Sequence, residues 1–296
     1  MAKTSDDQWK HDSMTGENSS RLFSKKMNDY RARVNKALDA ELERKSDSMF
    51  YIPFKEALRC GKRIRPILLV LAYEATRATD PDPFPAAVAV ELAHTESLIH
   101  DDIIDQDNTR RQNKAFHVLY GYETALLSAD FVLSMILGIT ARYSDPRINL
   151  ELARGTSTMS EGELEELTIC GRKEHLTMEE YLRVVSKKTA SLFETSAAIG
   201  AIIGKAKEDD AKRLTEYGNS LGIAYQIQDD ISDLKNDKNN DLVRLLGAGP
   251  DVSLSLVQRC ESFISEAKQN LNCLRQSDTK SLLVEMADSV RTRSIR

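Results

Sequence analysis

Two short acidic clusters are the residues of this chain best suited to chemistry. The first, Asp101-Asp102-Ile103-Ile104-Asp105, ends an apolar run with helical periodicity over residues 86–104. Helix positions i and i+4 lie within about 40° of each other, so Asp101 and Asp105 should share one face. Like charges at this spacing are unfavourable unless a cation lies between them. Such oxygen ligands suit Mg²⁺, which keeps several waters and often bridges carboxylates to substrate phosphates.

The second cluster repeats this spacing with Asp229, Asp230 and Asp233 near the end of the apolar segment 210–234. One acidic cluster alone fits a solvated helix end equally well. Two clusters at the ends of two apolar helices instead predict a cavity whose mouth has carboxylates on opposite sides.

Basic residues accompany the acidic clusters. Segment 61–66, Gly-Lys-Arg-Ile-Arg-Pro, opens a predicted helix, where backbone N–H groups and the helix dipole favour anions. Arg110 and Arg111 follow the first acidic cluster, and Lys187 and Lys188 precede another apolar run. A single Lys or Arg is usually a solvated surface residue. The combination with paired aspartates predicts a site for a polyanionic substrate.

Helices must position these residues. Apolar residues recur at helical spacing from about residue 22, and the 7 prolines fall at predicted helix ends. Segments 85–98, 124–143, 178–203 and 210–234 are apolar and too long for strands. We expect about ten helices in a single all-α domain over residues 22–296, preceded by a flexible polar tail over residues 1–21. The amphipathic C-terminal run 253–296 predicts packing helices.

Composition excludes several classes of function. The net charge of −5 argues against a surface that binds nucleic acid. The 4 cysteines are widely spaced and no secretory signal is visible, which predicts reduced thiols and a cytoplasmic location. No apolar run approaches the roughly 18–20 residues that span a bilayer, so no transmembrane segment is predicted.

The motifs together resemble those of the trans-isoprenyl diphosphate synthase family, which includes geranylgeranyl diphosphate synthases. The resemblance covers about residues 25–235, with the motifs in the family's order. It rests on segment 61–66, Glu91-Leu92-Ala93-His94-Thr95, segment 97–105, Arg110-Arg111, Lys188-Thr189 and segment 226–233. It implies an isoprenoid-synthase helical bundle around a deep apolar pocket, usually built as a homodimer, with a heteromer as the other possibility.

The same resemblance implies a role for each motif residue. About three Mg²⁺ ions would be held by Asp101, Asp102, Asp105, Asp229, Asp230 and Asp233. Residues facing the allylic diphosphate would be Arg110, Lys188 and Gln226, and Thr189 would also bind substrate. Those around isopentenyl diphosphate would be Lys62, Arg65, His94 and Arg111.

This assignment agrees with the chemistry of prenyl transfer. Breaking an allylic C–O bond leaves pyrophosphate and a delocalised carbocation, so preorganised positive charge is needed on the leaving group. The pocket must also exclude water, which would quench the cation.

Product length depends on residues one turn before Asp101, by the same resemblance. Ser97 is too small to form a tunnel floor, and an ionised Glu96 in an apolar tunnel is costly unless paired or protonated. Glu96 either turns aside to a basic neighbour, leaving room for a C20 or somewhat longer product, or caps the tunnel. We expect the longer product.

Three alternative functions fit parts of this pattern. A terpene cyclase needs Ser or Thr four residues after the first acidic position of its second motif, whereas Ser232 lies three after Asp229. A helical interaction protein leaves the paired aspartates unexplained. A weakly active or non-catalytic partner subunit stays open, because the Gly-Lys and Lys-x-Thr segment usual after the second cluster is shortened here. Lys235 and Lys238 are candidates for the missing charge.

Overall fold

The structure, a computed structural model, describes residues 5–110, 113–172, 174–235, 241–247 and 250–292, with side chains from Arg21 onward except at residues 235, 241, 250 and 292. Within these ranges the chain is helical apart from one small hairpin. The prediction of an all-α fold is confirmed.

The first seven helices are α1 (Ser5–Glu43), α2 (Tyr51–Ala57), α3 (Ile64–Ala75), α4 (Phe84–Ile104), α5 (Phe116–Tyr120), α6 (Tyr122–Thr140) and α7 (Arg147–Arg172). The remaining six are α8 (Met178–Val185), α9 (Ser191–Ile203), α10 (Glu208–Lys235), α11 (Asp241–Leu245), α12 (Pro250–Asn270) and α13 (Asp278–Thr292). A π-helical turn, Ser186–Ala190, joins α8 to α9, and a 3₁₀ turn, Leu271–Cys273, follows α12. Strand β1 (Thr109–Arg110) pairs antiparallel with β2 (Asn113–Lys114). Three of the long predicted segments fall within α4, α8–α9 and α10, and the fourth, 124–143, extends three residues beyond the end of α6.

Helix α3 occupies the centre of the bundle. Its residues from Ile67 to Ala72 are fully buried on every side, as expected of a helix that is apolar all round. It packs against α4 and α9, and α9 in turn packs against α7 and α10. A Cβ at Gly200 would lie 2.3 Å from the carbonyl oxygen of Leu69, so glycine is required for α9 to approach α3 this closely.

The predicted tail boundary at residue 21 falls inside α1, which begins at Ser5. From Phe23 onward α1 buries apolar side chains at helical spacing, including Val34 and Leu38, and it packs against α3 and α4. Whether residues 1–21 are flexible stays a prediction, as does the domain boundary at residue 22.

Helix α6 is more apolar than predicted, since no segment of the chain was expected to be long and apolar enough to span a bilayer. By length and composition it could cross a membrane, although only 33% of its most apolar window is buried in the bundle. One such helix is a weak indication, because helices of water-soluble proteins meet the same criteria. Together with α7, it leaves several leucines more than half exposed: Leu126, Leu127, Leu133, Leu137, Leu150 and Leu164.

Candidate active site

A cavity of about 1170 Å³ lies between α4, α6, α7 and α10. Its charged and polar lining includes Asp101 at the end of α4, Lys188 in the π-helical turn and Asp229 on α10. Much of the remaining wall is apolar and comes from α6 and α7: Val132, Leu133, Ile136, Leu137, Leu150, Leu164 and Leu167. The lining of α7 extends from Leu150 to beyond Glu163, about 20 Å at the helical rise of 1.5 Å per residue. A long apolar ligand with a charged head fits this distribution.

Both acidic clusters act on one guanidinium. Arg65 lines the cavity and lies within electrostatic reach of Asp101 and Asp229, whose charges partly oppose the lowering of its pKa by burial. Its Nη1 donates to His94 Nε2 at 3.0 Å, and its guanidinium lies 4.5 Å from the centre of the Phe193 ring. Arg65 Nε is buried and has no hydrogen-bond partner among the described atoms. This unused donor suits an anionic ligand.

A smaller cavity of about 460 Å³ adjoins the first. Lys62 and Glu91 line it, and Arg65, His94 and Asp229 line both cavities. The predicted group Lys62, Arg65 and His94 is therefore brought together at one place. Two anionic ligands could occupy the neighbouring cavities with Arg65 between them.

The first acidic cluster divides into two environments. Asp101 lines the large cavity, and Asp105 follows it at the C-terminal end of α4. Both carboxylates interact with the same two charged groups, Lys188 and Glu163. This agrees with the prediction that they share a face. Asp102, only 3% exposed, instead forms an ion pair with Arg110. Burial raises the pKa of Asp101 to about 6, and the negative charges of Glu163 and Asp105 add to this rise, while Lys188 and Arg110 oppose it.

The second cluster divides in the same way. Asp229 lines both cavities, whereas Asp230, which is 2% exposed, lines neither of them and accepts a hydrogen bond from the Tyr181 hydroxyl. Gln226 Nε2 also donates to Asp230 at 2.9 Å, and Thr189 donates to Gln226 Oε1 at 2.9 Å. Asp230 therefore holds Gln226 in place in this structure. The roles of Asp230 and of half-buried Asp233 as metal ligands stay predictions.

The donor set fits magnesium shared with a substrate. Among the described residues, no three His, Cys, Asp or Glu side chains are arranged to hold a metal by themselves. Mg²⁺ rarely uses such all-protein cages and is usually bound by one or two carboxylates, water and substrate phosphates. Asp101, Asp105 and Asp229 supply carboxylate oxygens. Burial is the main cause of the raised pKa of Asp101, and the repulsion by Glu163 and Asp105 that adds to it is the kind that a divalent cation relieves.

Helix α7 contributes residues that the sequence analysis missed. Glu163 lines the cavity, and both it and Glu166 bind Lys188 Nζ, at 2.7 and 2.9 Å. They lie in the acidic stretch 161–166, which by sequence resembles an ordinary solvated helix face. Only their i, i+3 spacing hinted at a shared partner.

Glu96 turns towards a basic neighbour, one of the two alternatives considered above. It lies 3.0 Å from His100 Nε2 and accepts a hydrogen bond from Ser128 of α6 at 3.0 Å. The hydrogen bond between His100 and Glu96 is the main cause of the raised pKa of His100. Ser97 lines the cavity and donates to the His94 carbonyl at 2.9 Å. Arg111, Lys238 and the side chain of Lys235 lie outside the described residues.

Comparisons with known proteins agree with this geometry. A family model described as polyprenyl synthetase matches residues 47–243. A geranylgeranyl diphosphate synthase of Methanosarcina mazei is 32% identical over 274 residues, covering 77% of this chain and 84% of the relative. The solved geranylgeranyl pyrophosphate synthetase of Geoglobus acetivorans is 28% identical with a TM-score of 0.79, covering 90% and 99% of the two chains. Heptaprenyl diphosphate synthase of Staphylococcus aureus shares the fold, with a TM-score of 0.82 at 23% identity over 90% and 98%.

Proposed function

Because this chain belongs to the polyprenyl synthetase family and is a trans-prenyltransferase, we propose that it condenses isopentenyl diphosphate with an allylic diphosphate. The reaction is magnesium-dependent and head-to-tail, and its product is an all-trans polyprenyl diphosphate. The observation that carries this proposal is the meeting of Asp101 and Asp229, from separate helices, around Arg65 at one cavity.

The chain's residues have distinct tasks in this proposal. Lys62, Arg65 and His94 hold the diphosphate of isopentenyl diphosphate in the smaller cavity, and Arg110, Lys188 and Gln226 face the allylic diphosphate. Thr189 orients Gln226 through the hydrogen bond at 2.9 Å. The apolar residues of α6 and α7 surround the growing chain and exclude water, which would otherwise capture the allylic cation.

Asp101, Asp105 and Asp229 would hold the magnesium ions. When bound, these ions neutralise charge on the departing pyrophosphate. The carboxylates must be ionised to serve as ligands. Since burial raises the pKa of Asp101 to about 6, metal affinity should weaken as the pH falls through this value.

An elongation assay with the purified chain tests the proposal. The protein is incubated with Mg²⁺, isopentenyl diphosphate and dimethylallyl, geranyl or farnesyl diphosphate, and the dephosphorylated products of a single turnover are separated by chromatography. Elongation that stops on addition of EDTA is expected. Activity that appears only with a second protein would identify a partner subunit, the alternative favoured by the shortened segment after Asp233.

For product length, we propose C20 or somewhat longer. Support comes from the pairing of Glu96 with His100 and Ser128, which satisfies its carboxylate at the cavity wall. We expect Glu96→Ala to shift the product distribution, because it removes both contacts and enlarges the space beside Ser97. Chromatographic sizing checks this, with Glu161→Ala as control, because Glu161 of α7 is exposed and does not line the cavity. An unchanged distribution would show that Glu96 does not limit length.

For assembly, we propose a homodimer, located in the cytoplasm and formed through Leu126 and Leu127, the exposed leucines of α6 that do not line the cavity. An apolar face of this kind is uncommon on a monomer. Light scattering should give twice the chain mass, and Leu126→Glu should shift the protein to monomers because it places a charge in the interface. Leu254→Glu, at a leucine of α12 that is 58% exposed, should not. A monomeric wild-type protein would contradict the proposal.

A further inference from the structure

Three glutamates of α7 pair with cations of the segment that follows it. Glu163 and Glu166 lie 2.7 and 2.9 Å from Lys188 Nζ. Glu165 instead pairs with Arg183 and Lys187, at 2.6 and 2.9 Å, and does not line the cavity. One ammonium at the cavity wall is thus bound by two carboxylates.

We propose that Glu163 and Glu166 are positioning residues that clamp the Lys188 ammonium and prevent it from pairing directly with Asp101 and Asp105. The clamp leaves those two carboxylates available to divalent cations and directs the ammonium at the diphosphate bound by them. This inference rests on the proposed function, because it assumes a metal-bound diphosphate at Asp101.

The carboxylates of Asp101 and Asp105 compete with those of Glu163 and Glu166 for the Lys188 ammonium. Its positive charge acts on both Asp101 and Asp105, so all three groups lie within electrostatic reach. A lysine ammonium on a flexible four-carbon chain can move to a nearby carboxylate, and a carboxylate neutralised in this way is a poorer metal ligand. Two short, charge-assisted hydrogen bonds from one helix give Glu163 and Glu166 the stronger hold.

The backbone fixes the other end of the lysine side chain. A Cβ at Gly162 would lie 2.3 Å from the Lys188 amide nitrogen, so α7 and the π-helical turn are in direct contact. Turns of this kind are frequent at functional sites. Lys188 is therefore held at its backbone by the contact with Gly162 and at its ammonium by the adjacent Glu163.

The clamp also leaves a surplus of negative charge. Lys188 lies among the four carboxylates of Glu163, Glu166, Asp101 and Asp105, and Arg65 and Arg110 are the two further cations that act on Asp101. Burial raises the pKa of Glu166, and the charges of Glu163 and Asp105 add to this rise while Lys188 opposes it. An excess of carboxylates at a cavity wall attracts divalent cations.

Binding of inorganic pyrophosphate with Mg²⁺, measured by calorimetry on the full chain, tests the inference. The variant carrying both Glu163→Gln and Glu166→Gln should bind about tenfold or more weakly, the loss typical when residues that orient metal ligands are removed. Glu165→Gln is the matched control, with the same substitution on the same helix, and should stay within about twofold of the wild type. A double variant that binds as tightly as this control would overturn the inference.

A cycle with Lys188→Met distinguishes a clamp from a merely structural role. If the glutamates act through Lys188, the double substitution should have little further effect once the ammonium is gone. Equal losses in both backgrounds would overturn the inference. Should the double variant fail to fold, Glu166→Gln alone is compared with Glu165→Gln in the same assay. A wild-type chain that binds Mg²⁺ and pyrophosphate but does not elongate would refute the proposed function while leaving this comparison intact.

Discussion

Asp101→Asn should abolish elongation and yet make the ligand-free protein more stable. Its activity should fall by about 10³-fold, since losing one preorganised charge contact at a transition state costs about 10²–10³ and a metal ligand is lost as well. The gain in stability has a separate cause. Burial and neighbouring carboxylates raise the pKa of Asp101 to about 6 from 3.8, so its charged form is unfavourable in the folded protein.

The sign follows from linkage. The folded state holds the Asp101 proton more tightly than the unfolded state, so this group destabilises the fold above about pH 6 and ceases to do so below its unfolded pKa of about 4. Asparagine removes the charge at every pH. We expect a gain of about 1 kcal/mol at pH 7, or about 2–4 °C in the melting temperature.

Thermal unfolding and the elongation assay measure both effects on one preparation. Asp107→Asn is the control, because Asp107 is exposed in the same segment and does not line the large cavity. Wild-type protein should be stabilised by Mg²⁺ with pyrophosphate, and Asp101→Asn much less. An Asn variant that elongates within tenfold of the wild type would refute a metal-binding role for Asp101.

Of the substitutions proposed for this protein, Glu91→Leu should lower the free energy of unfolding most. Glu91 and Arg63 form an ion pair in which the side chains are 5% and 4% exposed. Arg63 also donates to Asn35 Oδ1 at 2.9 Å and to the Leu58 carbonyl. Removing only the carboxylate leaves a buried guanidinium without a counter-charge, which typically costs about 3–5 kcal/mol.

Urea unfolding checks this expectation. The midpoint should fall markedly for Glu91→Leu and less for Glu91→Gln, whose amide oxygen can still accept a hydrogen bond. Lys212→Gln is the control, because the pair Lys212–Glu216 is exposed at 4.0 Å and such pairs contribute about 0–1 kcal/mol. A Leu variant as stable as the wild type would show that the pair is not important for the fold.

The sequence allowed the helical fold and the centre of the site to be predicted. Asp101 and Asp105 share a face because helix geometry alone determines their directions, and the prolines and apolar spacing located the long helices. Lys62, Arg65 and His94 could be grouped only through the family resemblance, because α3 and α4 bring them together from separate parts of the chain.

Tertiary packing decided which of the similar residues face the cavity. Asp101 and Asp102 are neighbours in sequence, but the hairpin places Arg110 beside Asp102, which pairs with it. In the same way Asp230 bonds to Tyr181 of α8, while its neighbour Asp229 lines the cavity. Arg63 pairs with Glu91 beside the smaller cavity, whereas Arg65 also lines the larger one.

The clamp on Lys188 left only the i, i+3 spacing of Glu163 and Glu166 as a sequence signal, because these glutamates lie on a different helix from the lysine that they bind. Periodicity determines where a side chain points relative to its own helix axis. The partner that the side chain contacts depends on which helix packs against that face, and the packing of the helices around α3 determines this.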